Sequence, residues 1–77
     1  MASVTLDCLS PGQWATIADL AFSDRKQRRL LDLGFVPGAA VTALQAAPWG
    51  DPVAYGIRGA VIALRRSDAR RISIVGK

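Results

Sequence analysis

Histidine is absent from the chain, which removes the usual general base and the commonest transition-metal ligand. Cys8 is the single thiol. With no histidine to activate it, it reads as a packing or incidental residue and not as a nucleophile. All six carboxylates are aspartates. Asp24 falls in a first helical turn, Asp51 at a hairpin tip and Asp68 near a cap, the places where turns and helix starts use them. Asp19 and Asp32 are scattered between, so neither a carboxylate pair nor the spacing of a calcium loop emerges. The stretch Gly34-Phe35-Val36-Pro37-Gly38 lacks the Lys-Ser or Lys-Thr of a phosphate loop, and it follows a helical segment where such a loop would precede one. No catalytic, cofactor-binding or metal-ligating residue is therefore assigned, and no enzymatic activity is expected.

Charge and aromatic surface remain. Ten Lys and Arg against six Asp give a formal net charge of +4, which suits an acidic protein, a nucleic acid or an anionic membrane surface. Arg25, Lys26, Arg28 and Arg29 place four cations within about two helical turns. Arg65, Arg66, Arg70 and Arg71 form a second cluster. Either cluster reads as solvated surface or as an electrostatic dock; the first is taken as part of a docking surface because its charges are so close. Trp49 sits between Pro48 and Gly50 at a hairpin tip, where burial is hard. It is a candidate binding hot spot, against the alternative of a ring folded back over the end of the fold. Trp14 and Tyr55 lie in strand patterns and are expected in the core, wholly or in part. The candidate partner-binding residues are thus Arg25, Lys26, Arg28, Arg29 and Trp49. A base-stacking platform would interleave aromatics with the arginines, which this chain does not do. A nucleic-acid-binding barrel is kept as the second reading.

Short elements must hold these residues. Turn signals recur at Ser10-Pro11-Gly12, Val36-Pro37-Gly38, Pro48 to Pro52 and Arg58-Gly59. Between them run segments rich in Val, Ile, Thr and Tyr, at 14–20, 40–46, 53–58, 60–64 and 72–75. In several the apolar residues alternate, as with Val53, Tyr55 and Ile57, Ile62 and Leu64, or Ile72 and Ile74. Five such strands in so short a chain predict a mainly β fold, a small barrel that hides its sheet edges. One segment, roughly 23–33, has no Gly or Pro and predicts an inserted α-helix. Ser23 is its expected N-cap and Gly34 its left-handed terminator. A short helical turn is expected near 67–70.

Seventy-seven residues fit one domain, 1–77, close to the lower limit for a self-sufficient core. A fold that needs no disulfide suits a reducing compartment. The start Met1-Ala2-Ser3-Val4 has no basic-then-apolar leader, and no run approaches the roughly 20 apolar residues of a membrane span. A cytoplasmic location is expected.

The order of motifs also resembles a known family. Leu30-Leu31-Asp32-Leu33-Gly34-Phe35-Val36-Pro37-Gly38-Ala39 is similar to the signature of the FeoA-like proteins, small ferrous-iron-transport A proteins of bacteria. The likeness extends to Leu9-Ser10-Pro11-Gly12, to Pro48-Trp49-Gly50-Asp51-Pro52 and to the closing stretch Ile62 to Ile72. The resemblance implies an SH3-like barrel in which Leu30, Leu33 and Phe35 plug the open side and Ile62, Leu64, Ala69 and Ile72 fill the opposite wall. It also implies an accessory role toward FeoB, the ferrous-iron permease with a cytoplasmic GTPase domain. Contact with the membrane would then run through that partner. Unsatisfied sheet edges leave room for self-association.

Overall fold

The computed structural model describes residues 4 to 76; the Met1-Ala2-Ser3 start read above for a leader lies outside them. The chain begins with a two-residue strand β1 (Val4–Thr5) and a 3₁₀ turn, Leu6–Cys8. Strand β2 (Trp14–Leu20) and helix α1 (Asp24–Leu33) follow, then β3 (Ala40–Ala46), β4 (Val53–Ile57) and β5 (Ala60–Leu64). A one-turn helix α2 (Arg66–Ala69) leads into the last strand, β6 (Ile72–Gly76). All neighbours pair antiparallel, in the order β1-β6-β2-β3-β4-β5.

The mainly β fold with one inserted helix agrees with the sequence reading, but there are six strands and not five. The additional one is β1, whose two residues pair as Val4↔Ile74 and Thr5↔Ser73; two residues are too few to display an alternation. The expectation that a barrel would hide every edge also needs correction. β1 and β5 end the strand order and do not pair with each other. Closure comes from side chains. Tyr55 on β4 directs its hydroxyl at the Leu6 carbonyl, just after β1, at 3.5 Å, although three strands separate β1 from β4 in the sheet. Such an approach requires the sheet to curl back on itself. Register breaks between Ile17 and Asp19 in β2 and between Ala43 and Gln45 in β3 mark bulges, and bulges sharpen the local twist that curling needs.

The inner face of the curl is one apolar cluster. Val53, Tyr55 and Ile57 alternate into it from β4, with Ala15 and Ile17 from β2, Val41 and Ala43 from β3, and Ile72 and Ile74 from β6. Leu64 and Ala69 are buried as expected, whereas Ile62 is only partly so. Two expectations fail. Trp14 is 47% exposed and not core: Ala15 and Ile17 point inward, so strand alternation turns Trp14 out. Leu33 is 39% exposed; Leu30 is the helix residue buried in the core, with Leu31 packed partly against it, and Phe35, fully buried just after the helix end, completes the plug.

Local chemistry sets the helix bounds. Ser23 occupies the N-cap with extended geometry, but its side chain makes no capping bond. Gln27 instead reaches back so that its Oε1 accepts the Phe22 N–H at 3.4 Å. At the other end Gly34 is left-handed (φ 113°), while the Gly34 N–H reaches the Leu31 carbonyl and the Phe35 N–H the Leu30 carbonyl, each at 3.0 Å. This pattern satisfies carbonyls that a helix end leaves free. A Cβ at Gly34 would meet Arg58 Cδ at 2.9 Å, so the helix end lies against the tight turn Arg58-Gly59 that joins β4 to β5. Both turn residues have positive φ, 50° and 81°, the geometry that matches hairpin twist.

A third tie fixes the β3–β4 hairpin tip. Asp51 Oδ1 accepts the Arg66 backbone N–H at 2.9 Å, and Arg66 Nε donates to the Gly50 carbonyl at 2.7 Å. Asp51 therefore caps α2 from a distant loop. Loss of an N-cap carboxylate costs about 0.5–2 kcal/mol; Asp51→Ala is expected to lower the unfolding free energy by that amount, as read by urea denaturation.

Tyr55 gives a second expectation. Burial raises its phenol above the ordinary value, with the carboxylates of Asp7 and Asp51 adding to the effect and Arg66 opposing it. The neutral phenol is thus favoured in the folded state. Its stabilisation is complete below the unfolded value of about 10 and is lost as pH rises through the folded value. Stability should fall above about pH 10, and Tyr55→Phe should flatten that fall. Tyr55 is the single tyrosine, so phenolate absorbance reads its titration alone; a midpoint at or below the ordinary value would contradict the assignment.

Candidate partner-binding groove

The four helix cations do not form one patch. Arg25, Lys26 and Arg29 line an open groove of about 660 Å³ between α1 and the outer edge of β5, whereas Arg28 lies on another side of the helix beside Asp24. Leu30, Leu33 and the β5 residues Val61 to Leu64 supply the apolar lining of the groove. Lys26 is already engaged: its Nζ lies 2.8 Å from Asp68 Oδ1 and 5.9 Å from the centre of the Phe22 ring. That contact ties the start of α1 to α2 across one end of the groove. Arg25 and Arg29 have no ion pair among the described residues and are exposed. They are one helical turn apart on the groove side, with their charge directed at solvent.

The second basic cluster is largely structural. Arg66 holds the hairpin tip as described, Arg70 Nε lies 3.6 Å from Asp7 Oδ2, and Arg71 donates to the Ala21 carbonyl at 3.5 Å. Arg65 alone of that cluster has no such bond among the described residues. For this cluster the reading as ordinary surface is the better one.

Trp49 is 82% exposed; the ring does not fold back over the barrel end. The Gly50 N–H bonds to the Ala47 carbonyl at 2.7 Å, and Arg66 pins the next carbonyl, so the indole is displayed on a tied turn. Arg66 opens α2 and Asp68, two residues on, lines the groove. The Trp49 tip and the groove therefore meet at α2.

Sequence reasoning missed two features. One is β5 as part of the groove: Val61 is 68% exposed, a consequence of alternation with Ile62 and Leu64, but that β5 ends the strand order is visible only in the topology. The other lies elsewhere on the surface. Trp14, Val4 and Val75 are exposed, and a smaller groove of about 500 Å³ beside Trp14 includes Cys8 and Leu9. Cys8 is exposed, its Sγ 3.9 Å from Thr5 Oγ1 and 4.0 Å from Asp7 Oδ1. Among the described residues no group of three or more His, Cys, Asp or Glu gathers to hold a metal ion.

Comparison with known proteins supplies relatives. Residues 4–75 match the FeoA domain family. Over 66 residues the chain is 38% identical to the Fe(2+) transport protein A/Fe(2+) transporter FeoB fusion protein of Porphyromonas gingivalis; the match covers 86% of this chain and only 8% of that protein. The solution structure of the FeoA protein from Chlorobium tepidum superposes with a TM-score of 0.90 at 34% identity, over 95% of this chain and 70% of that one. The zinc-complexed FeoA of Stenotrophomonas maltophilia, described as a prokaryotic SH3 domain protein, gives a TM-score of 0.80 at 32% identity, over 95% and 91% of the two chains. The curled sheet is accordingly SH3-like, and the chain belongs to the FeoA domain family.

Proposed function

We propose that this chain is a non-catalytic docking module of ferrous-iron uptake that binds an FeoB-type permease through the face carrying Arg25, Lys26, Arg29 and Trp49, with Arg28 on the adjoining side of the helix adding to the positive field. The observation that carries this reading is the fusion in Porphyromonas gingivalis, in which a related sequence is part of the same polypeptide as the transporter. A module that works beside a permease gains from covalent attachment, because tethering raises its effective concentration. This chain spans 8% of that protein, so transport itself belongs to the remainder.

The surface is consistent with such a role. An exposed tryptophan on a tied turn, near a basic groove with an apolar lining, combines a hot-spot anchor with electrostatic steering. Among the described residues no helix is long and apolar enough to cross a membrane. In this proposal the module reaches the bilayer through its partner, from the cytoplasmic side. A nucleic-acid role is less favoured, since no aromatic side chain is interleaved with Arg25, Lys26 and Arg29 along the groove, as a base-stacking platform would require.

Titration against full-length FeoB-type permease in detergent, with and without guanine nucleotide, tests the proposal. Saturable binding is expected. The double variant Arg25→Glu/Arg29→Glu should bind about tenfold more weakly and with a shallower dependence on salt. Trp49→Ala should weaken binding by about tenfold or more. Unaltered affinity in both variants would contradict this face, and no binding in any nucleotide state would contradict the function.

A further inference from the structure

The groove has a feature that a charged surface alone does not require: one wall is the open edge of a sheet. β5 ends the strand order. The two-residue turn Arg58-Gly59 makes its flanking residues, Ile57 and Ala60, a hydrogen-bonded pair, and antiparallel pairs alternate from there. With the register Ile57↔Ala60, Tyr55↔Ile62 and Val53↔Leu64, the backbone groups of Ala60, Ile62 and Leu64 face β4. Those of Val61 and Ala63 face the groove, and no hydrogen bond to them from another element is present among the described residues. An edge of this kind is a template for one more strand.

The opposite wall matches a strand in length and spacing. From Arg25 to Leu33 the helix rises about 12 Å, and the five residues of β5 span about 13 Å. Arg25 and Arg29 are about 6 Å apart along the helix axis, close to the repeat of roughly 6.7 Å between same-face residues on a strand. An extended segment laid between the walls could therefore present acidic side chains at i and i+2 to Arg25 and Arg29 while the intervening apolar ones meet Leu30, Leu33 and Ile62. A second copy of this chain fits less well, because edge-to-edge pairing would bring two such arginine rims together.

We propose that β5 accepts, by strand addition, a short extended segment of a partner protein in which acidic and apolar residues alternate. This deepens the docking reading given above and rests on it for the partner's identity. The backbone edge supplies general affinity, Arg25 and Arg29 select negative charge, and Lys26, held by Asp68, closes one end.

The test uses the full chain labelled with nitrogen-15 and two blocked nine-residue peptides, one alternating Val and Glu and the other alternating Val and Lys, each kept monomeric. With the Glu peptide, the Val61 and Ala63 amides are expected to shift and their hydrogen exchange to slow at least tenfold. The Lys peptide should do neither. Ala63→Pro removes an N–H that points away from β4 and is tolerated on an edge; it should fold, judged by the unchanged remainder of the spectrum, and weaken Glu-peptide binding at least tenfold. Arg25→Glu/Arg29→Glu should invert the preference between the peptides. Unmoved Val61 and Ala63 amides, equal response to both peptides, or full binding by Ala63→Pro would each overturn strand addition. The same amides shifting with protein concentration alone would overturn it in favour of a second copy. Because neither peptide comes from FeoB, these results are independent of whether that permease binds.

Discussion

The approach of Tyr55 to the Leu6 carbonyl expresses the constraint on which the rest of the structure depends. A sheet of six short strands can bury a core only by curling, and here the curl brings β4 against the segment that follows β1. Closing it with a side chain and not with a ladder has two consequences. The core becomes one continuous cluster, with Leu30 and Phe35 sealing it from the helix side. The outer edge of β5 stays open. Both follow from the same incomplete closure, since a full ladder between the end strands would leave no backbone edge to offer.

Much of this was legible in the residues. The alternation of Val53, Tyr55 and Ile57 placed β4 and its inward face, and Gly34 marked the end of α1 because only a left-handed residue lets the chain turn there. Errors came where a local rule was read too broadly or where no local rule exists. Trp14 lies in a strand pattern that suggests the core, but its place before inward-facing Ala15 turns it outward. Leu33 follows the helical period, yet within α1 only Leu30 is deeply buried, and Phe35 just beyond the helix end completes the plug. β1 has no period to read. The capping of α2 by Asp51 joins residues 15 apart, and no local window contains both.

The two arginine clusters show how little composition alone decides. Both read alike in sequence, each with four cations close together. Contacts then divide them. Arg66, Arg70 and Arg71 hold a hairpin tip, the 3₁₀ turn and the end of β2 in place, whereas Arg25 and Arg29 are left facing a groove. Exposed ion pairs contribute little to stability, so the value of the second cluster lies in positioning. Its Arg66 steadies the turn that displays Trp49, and in this way structural charge supports the surface that free charge would use.

Hydrogen exchange of the chain, alone and bound to full-length FeoB-type permease, would locate the docking face. Slowed exchange is expected in α1, in β5 and in the turn at 47–52, with the surface around Val4, Trp14 and Val75 unaltered. Protection confined to that Trp14 surface would contradict this docking face, as would binding that leaves α1 and β5 unprotected.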